Sequence, residues 1–203
     1  MVKGGSARWV SAATPRVEGM SEERARAALE ASGLDFTITR HGPVSSLEEA
    51  AAARGIEPAN IVKTLVVRRG DDDYLFVLVP GDRTISWPKL RALLGVSRLS
   101  MPDKEVAREV TGYERGTITP FGSTTAWPVV ADSRVVRREA TDVPGSGDVV
   151  GQDEAGEDPL GGPDGVSPLV SIGAGAFGVA ASVDGEGLAR VLGAQVADVT
   201  EPV

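Results

Sequence analysis

The segment IVKTLVVRRGDDDYLFVLVPGD, residues 61–82, decides the fold. Two apolar runs, at 61–68 and 74–79, are separated by an acidic turn, a pattern typical of a β-hairpin. In the first run both side-chain faces are apolar apart from Lys63 and Thr64, which predicts a strand that is buried on both sides. The sequence therefore predicts a buried hairpin that carries a lysine near the start of its first strand.

Lys63 is the feature of this hairpin that needs an explanation. An unpaired ammonium in a protein core is costly, so the side chain must reach solvent at the strand end, pair with an acid, or face a water-filled pocket. The chain has only four lysines, Lys3, Lys63, Lys89 and Lys104. Arginine supplies the other cationic side chains. The residues alone leave two interpretations open, a strand-end lysine that reaches solvent and a lysine that serves a pocket.

Helix and strand signals extend outward from the hairpin in a mixed order. Before the hairpin, the sequence predicts a tail over 1–20, a helix from Ser21 to Gly33 and a strand within 34–43. A second helix is predicted within 45–55, and it opens with a capping box from Ser45 to Glu48. After the hairpin, proline and glycine positions predict helices within 87–95 and 101–112, and Pro102 is expected inside the first turn of the second. Strands are predicted within 116–122, 126–136, 168–173 and 177–183. A final helix and strand are predicted within 186–200. Because helices and strands do not strictly alternate, we expect a mixed α/β fold, with a single domain over 21–203.

The distribution of charge matters more than the net charge of -8. Phosphate-binding proteins usually carry a basic patch, so the net value alone disfavours nucleic acid. Residues 141–168, however, contain seven acids and no base: Asp142, Asp148, Asp153, Glu154, Glu157, Asp158 and Asp164. The rest of the chain contains 22 acids and 21 bases, so it is nearly neutral and can carry a local basic surface. The Gly- and Pro-rich stretch itself has too few apolar residues to offset its ordering entropy, which predicts an exposed insertion loop.

The cysteine and histidine counts restrict the chemistry. With no cysteine and one histidine, the chain lacks a thiolate nucleophile and the ligands of a Cys or multi-His metal site, so we expect no metal and no cofactor. A Ser-His-Asp hydrolase is disfavoured, because His41 would be the only base and no G-x-S-x-G motif is present. No apolar run reaches the ~18 residues of a membrane span, so we expect a cytoplasmic protein.

Two glycine-rich segments are candidates for ligand contact. Residues 173–178, GAGAFG, match G-x-G-x-x-G, but a strand follows where a dinucleotide site needs a helix. We expect this backbone to pass close to a neighbouring strand or to a ligand. Residues 111–122, TGYERGTITPFG, place Gly116 and Pro120 around a short apolar run. This segment either forms ordinary turns or presents the bare N–H groups that acyl transfer needs for its oxyanion.

Taken in order, these segments resemble the YbaK/ProX-type aminoacyl-tRNA deacylases, a family that includes the editing insertion domain of bacterial prolyl-tRNA synthetases. The resemblance rests on VKTLVVRRG, YLFVLVPGD, KLRALLG, TGYERGTITPFG, PVVADSRV, VSIGAGAFGVA and LARVLGAQVADVT, over roughly 21–140 and 168–200. It implies a mixed α/β fold in which helices flank a strongly curved, barrel-like sheet. It also implies a metal-independent hydrolase that removes a wrong amino acid from the 3′-terminal adenosine of a tRNA.

The resemblance also implies roles for individual residues. Lys63 matches the essential lysine of the family, and Gly116 and Pro120 match its Gly-x-x-x-Pro loop. We therefore expect Lys63 to act as a fixed cation and the amides around Gly116 to hold the carbonyl oxygen. The other expected substrate-binding residues are His41, which with Pro43 resembles a His-x-Pro turn of many members, Thr119, Pro120, Phe121, Gly173 and Gly175. No side chain is named as a general base, because the family is thought to use the ribose hydroxyl of its substrate to help activate water.

Two departures from the family pattern bear on substrate choice. Some members have serine where this chain has Gly173, and loss of a hydroxyl changes which amino acid a small pocket can bind. The acidic insertion would repel phosphate if it lay near the tRNA. The expected partners are a mischarged tRNA, in particular one for proline, and prolyl-tRNA synthetase, with neither DNA nor a membrane. Two alternatives stay open: a non-catalytic module that binds an aminoacyl-tRNA end, a synthetase or a nucleotide, and a small-ester hydrolase unrelated to tRNA.

Overall fold

The computed structural model describes residues 15–137 and 167–203. Helices in these ranges are α1 Pro15–Ser32, α2 Leu47–Arg54, α3 Trp87–Leu94, α4 Lys104–Thr111, α5 Ser133–Val136 and α6 Gly185–Val191. The strands are β1 Phe36–Arg40, β2 Ile61–Gly70, β3 Asp73–Pro80, β4 Arg83–Ile85, β5 Val129–Asp132, β6 Leu169–Gly173, β7 Val179–Asp184, β8 Gln195–Ala197 and β9 Thr200–Pro202. Within the described ranges, no helix combines the length and apolarity that crossing a membrane requires.

Seven strands form one mixed sheet in the order β1-β7-β6-β2-β3-β5-β8, and β4 pairs with β9 separately. The β2–β3 hairpin lies at the centre and is antiparallel, with Val62 opposite Pro80 and Arg68 opposite Tyr74. On its two sides, β6 runs parallel to β2 and β5 runs parallel to β3. A mixed sheet flanked by helices is the fold class that the sequence predicts.

The central hairpin is buried on both faces, as its apolar pattern predicts. On one face, Val62 and Val66 belong to a buried cluster that includes Leu29 of α1. On the other face, Val67 belongs to a second buried cluster that includes Leu90 of α3. Full burial of each such side chain is worth about 1.5–3 kcal/mol, so the hairpin is a firm support for what lies beside it.

The contact between β2 and β6 is short, and this leaves a gap in the sheet. β6 pairs with β2 only at Ile61 and Val62. Further along β2, Arg68 forms an isolated bridge with Ser100, from the segment before α4. Between these two points, no strand among the described residues lies against the edge of β2.

The structure corrects several local predictions near the ends of helices. α1 begins at Pro15 and not at Ser21, so the predicted 1–20 tail overlaps the helix. The residue that caps α2 is Ser46, whose side chain accepts a hydrogen bond from the Glu49 N–H, so the predicted Ser45 box is one residue too early. Asp103 caps α4, so Pro102 precedes the helix.

The strand predicted within 116–122 is wrong, because this segment forms turns. Gly116 and Gly122 adopt positive φ angles of 98° and 66°, which are incompatible with an extended strand. A side chain on Gly122 would lie 2.5 Å from the Arg24 carbonyl oxygen of α1, so this helix presses on the loop. The chain also ends in two short strands, β8 and β9, where one was predicted. The predicted insertion over 141–168 lies outside the described residues, except for its last two.

Candidate active site

A cavity of about 390 Å³ fills the gap beside the free edge of β2. Its walls are this edge, the start of α4, Gly173 at the end of β6, and three loop residues, Arg115, Gly116 and Ile118. Lys63, Gly116 and Gly173 are far apart in the sequence and line this one cavity. Its volume lies in the range of ~300–1,000 Å³ that is usual for small-molecule sites.

The Lys63 ammonium is held by backbone oxygens of the turn between β3 and β4. Nζ donates hydrogen bonds to the carbonyl oxygens of Gly81 at 2.9 Å and Arg83 at 2.5 Å. Burial lowers the pKa of Lys63 from its usual value, and the nearby Asp82 carboxylate partly opposes this shift. Two of the three ammonium protons are therefore engaged, and the third has no acceptor among the described residues.

The free edge of β2 presents main-chain groups to the cavity. Both the N–H and the carbonyl of Arg68 bond to Ser100 and so point away from β3. Because main-chain groups alternate in direction along a strand, those of Thr64 and Val66 point the same way. Thr64 Oγ1 is also buried without a hydrogen-bond partner in the described part of the chain. This edge therefore offers donors and acceptors to a small ligand.

The loop that carries Gly116 is anchored at both ends. Tyr113 is fully buried, and its hydroxyl donates a 2.7 Å hydrogen bond to the Phe121 carbonyl. Between them, the amide and the hydroxyl of Thr117 both donate to the Glu114 carbonyl, each at 2.9 Å. The Gly116 amide makes no hydrogen bond within the described residues. The loop thus holds an unpaired N–H donor at the wall of the cavity.

The cavity is basic although the chain is acidic. Four cationic side chains line the cavity, those of Arg54, Lys63, Lys104 and Arg115. The only carboxylate among the lining residues is that of Asp103. Asp103 is itself occupied as the cap of α4, where it accepts a hydrogen bond from the Val106 N–H at 2.8 Å. A cluster of cations around an apolar-walled cavity favours an anionic ligand.

Arg54 and His41 hold each other at one side of the cavity. Arg54 Nε donates to His41 Nε2 at 3.3 Å, and its Nη1 lies 3.5 Å from Ser171 Oγ. An arginine can only donate, so His41 Nε2 must accept this hydrogen bond. The proton of the neutral ring is therefore on Nδ1, which lies 2.8 Å from the Gly42 carbonyl oxygen. Burial lowers the pKa of Arg54, although a guanidinium stays charged at neutral pH.

Residues 41–148 match the family model of the aminoacyl-tRNA editing domain. This match spans just over half of the chain and contains Gly116 and all four cations that line the cavity. The chain belongs to the aminoacyl-tRNA editing domain family. The fold class and the resemblance that the sequence suggested are therefore confirmed.

The editing domain is also similar to parts of curated proline–tRNA ligases. It is 38% identical over 96 residues to the ligase of Thermosipho melanesiensis, a match that covers 47% of this chain and 17% of the ligase. It is 37% identical over 91 residues to the ligase of Heliobacterium modesticaldum, covering 45% of this chain and 16% of the ligase. The matched region thus spans about a sixth of the length of these ligases.

Two crystal structures share the fold. One, described as that of "a putative trans-editing enzyme for prolyl tRNA synthetase", has a TM-score of 0.68 and 25% identity, and the match covers 94% of this chain and 99% of that one. The other is a hypothetical protein with a TM-score of 0.67 and 23% identity, covering 88% of this chain and 99% of that one. The second similarity supports the fold alone.

The remaining residues predicted to bind substrate are not gathered at the cavity of the editing domain. Thr119 and Phe121 are buried, the latter in the core cluster that packs against α1. Gly175 has a φ of 83°, and a side chain there would lie 2.6 Å from the Ser21 carbonyl oxygen, so this glycine lets the β6–β7 turn approach α1. Pro120 is half-buried and does not line the cavity, and His41 reaches it only through Arg54. Direct substrate contact stays a prediction for these residues.

Sequence reasoning missed the three other cations of the cavity, Arg54, Lys104 and Arg115. Arg54 precedes the glycine that ends α2, where a basic residue is expected to interact with the helix C-terminus. Only the sheet topology brings it beside β2. As for metals, no three histidine, aspartate or glutamate side chains within the described ranges are grouped so that they could hold an ion.

Proposed function

We propose that this editing domain hydrolyses the ester bond of a mischarged aminoacyl-tRNA in trans, and that its substrate is a tRNA for proline that carries a wrong amino acid. The observation that carries the proposal is the meeting of Lys63 and the unpaired Gly116 amide at one basic cavity. The similarity to proline–tRNA ligases supports the choice of tRNA. The cavity is far smaller than a tRNA, so only the aminoacylated end enters it.

In the proposed reaction, a water molecule attacks the carbonyl carbon of the ester. Negative charge develops on the carbonyl oxygen, and the Gly116 amide donates to it. Removal of one such donor typically costs 10²–10³ in rate, about 2.7–4 kcal/mol. The bond from the carbonyl carbon to the ribose oxygen then breaks, and this oxygen takes up the proton that the attacking water loses, so the products are the free amino acid and the ribose hydroxyl of the terminal adenosine. An aminoacyl ester is already activated, so positioning and charge stabilisation suffice without a strong nucleophile.

Lys63 has one proton left for the substrate in this proposal. Its two hydrogen bonds to Gly81 and Arg83 fix the ammonium, so it acts as a preorganised charge. This charge holds the terminal phosphate or polarises the ester. The carbonyls of Thr64 and Val66 on the free edge of β2 are suitable acceptors for the α-ammonium group of the amino acid.

The test is to incubate the protein with tRNAs for proline that carry different wrong amino acids, beside correctly charged prolyl-tRNA. We expect one or more mischarged tRNAs to be deacylated faster than the correctly charged one. No turnover of any of them would contradict the proposal. Free aminoacyl esters of simple alcohols serve as the control, because equal rates on these and on tRNA would favour the small-ester hydrolase.

A binding module is the second candidate, and one observation favours it. The Lys63 ammonium is already satisfied by two main-chain carbonyls, which is also what a purely structural lysine would show. A module of this kind would bind a non-hydrolysable aminoacyl-adenosine mimic in the cavity and leave mischarged tRNA intact. Binding to the mimic and turnover of the tRNA, measured on the same preparation, separate the two candidates.

A further inference from the structure

Phe177 is an exposed aromatic ring in the turn between β6 and β7. It is 60% exposed, and it is the only aromatic among the large apolar side chains that are exposed within the described residues. Most of this ring therefore gains no stabilisation from burial in the folded chain. The position is within GAGAFG, where the sequence predicted close approach to another strand or to a ligand.

The turn that carries Phe177 is firmly held. The amide of His41 donates to the Gly178 carbonyl at 2.9 Å, and the amide of Ala174 donates to the Val179 carbonyl at 3.1 Å. On its other side Gly175 lies against α1. The ring therefore projects from a fixed support, which lowers the entropy cost of using it to bind something.

The ring lies next to the loop at the wall of the cavity. A methyl group built on Gly116 would lie 3.3 Å from Phe177 Cε1. Arg115, the preceding residue, is exposed and lines the cavity. The neighbouring acid, Glu114, is paired with Arg108 at 3.1 Å, so it does not neutralise Arg115. The exposed aromatic ring thus lies beside the loop whose Arg115 carries an unneutralised guanidinium at the cavity wall.

We propose that Phe177 stacks on a nucleobase of the single-stranded 3′ end of the tRNA and that Arg115 contacts a phosphate of the same segment. Proteins recognise unpaired nucleotides through this combination of an aromatic ring and a cation. The inference rests on the proposed function for its choice of RNA, and it names residues at and beside the cavity wall that would hold the RNA leading to the ester. Both residues are positioning residues, since neither reaches the reacting atoms.

The experiment measures binding of uncharged tRNA, so it does not depend on hydrolysis. Two tRNAs are compared, one intact and one without its four unpaired 3′ nucleotides. Phe177→Ala should weaken binding of the intact tRNA about tenfold, as expected for one lost base stack, and should not affect the truncated tRNA. Phe177→Trp should retain the affinity, and its added indole fluorescence should be quenched by the intact tRNA. Arg115→Ala should weaken binding of the intact tRNA and reduce the slope of log K against log salt by about 0.7.

Leu169→Ala is the matched control, because Leu169 is 55% exposed and does not line the cavity. The inference is wrong if Phe177→Ala binds intact tRNA as tightly as Leu169→Ala does, or if the wild type does not distinguish the two tRNAs. A change in sedimentation of Phe177→Ala with unchanged RNA affinity would assign the ring to self-association and overturn the inference. Binding through Phe177 without deacylation of any mischarged tRNA would support this inference and contradict the proposed function.

Discussion

Arg54 Nε donates a hydrogen bond to the only histidine of the chain, His41, across 3.3 Å at the side of the cavity. This contact requires the neutral ring to carry its proton on Nδ1. Long-range ¹H–¹⁵N NMR of the single histidine should show this tautomer in the neutral ring. Arg54→Met removes the donor and should shift the ring towards the Nε2-protonated form. An Nε2-protonated ring in the wild type would contradict the geometry described for Arg54.

The pKa of Lys63 should lie below that of an ordinary lysine, because burial disfavours its charged form more than Asp82 favours it. With four lysines in the chain, ¹³C-labelled lysine gives four side-chain signals, and Lys63→Arg assigns the relevant one. The Lys63 signal should titrate at a lower pH than that of an ordinary lysine side chain. Between its folded pKa and the ~10.4 of an unfolded lysine, the unfolded state binds more protons, so this residue makes the free energy of unfolding rise with pH in that interval. Titration of Lys63 at or above the pKa of an ordinary lysine would contradict the burial argument.

Gly116→Ala should lower the activity by more than its loss of stability explains. Its φ of 98° strains any residue with a side chain, and the new methyl group would press on Phe177. The matched control is Gly95→Ala, which has a φ of 65° and nothing within 4 Å of the new carbon atom. Both variants should lose about 1 kcal/mol of unfolding free energy from the strained backbone. Only Gly116→Ala should lower kcat at a temperature where both are folded, because the strain and the Phe177 contact displace its amide from the carbonyl oxygen. Equal activity in the two variants would contradict a fixed amide donor at this position.

Gly173→Ser should change the amino acid preference of the site. A side-chain carbon at Gly173 would lie 3.4 Å from the Ile118 carbonyl oxygen and 3.7 Å from the Thr117 carbonyl oxygen, which is ordinary packing. A hydroxyl can therefore be added to the cavity wall without displacing the backbone. We expect the ratio of kcat/KM values between two wrong amino acids to change about tenfold. Gly173→Ala controls for volume, and the same ratio in both variants would mean that the hydroxyl has no role.

The hairpin and the C-terminal ends of α2, α3 and α4 could be predicted because their signals are local. Two-sided apolar runs around an acidic turn specify β2 and β3, and glycines in left-handed conformation end α2, α3 and α4 at Gly55, Gly95 and Gly112. The error at 116–122 arose where local and tertiary preferences conflict. Thr117, Ile118 and Thr119 favour a strand by propensity, but positive φ angles and contact with α1 impose turns.

The site could be predicted only in part. The meeting of Lys63 and Gly116 was expected from family resemblance and could not be derived from their spacing, since it depends on the short β2–β6 pairing. Arg54 carries no local signal of function, because it looks like a helix-end arginine, and Phe177 was marked only by its position within GAGAFG. Their significance follows from neighbours that are distant in the sequence, His41 and Gly116.

The most direct test of the account compares Lys63→Ala with Lys89→Ala in single-turnover deacylation of a mischarged tRNA for proline. Lys89 is a fair control, because its ammonium also bonds to a main-chain carbonyl, that of Thr200, and it does not line the cavity. We expect a loss of about 10²-fold or more for Lys63→Ala, with a circular dichroism spectrum like that of the wild type, and an unchanged rate for Lys89→Ala. Equal rates for the two folded variants would contradict a catalytic role for Lys63.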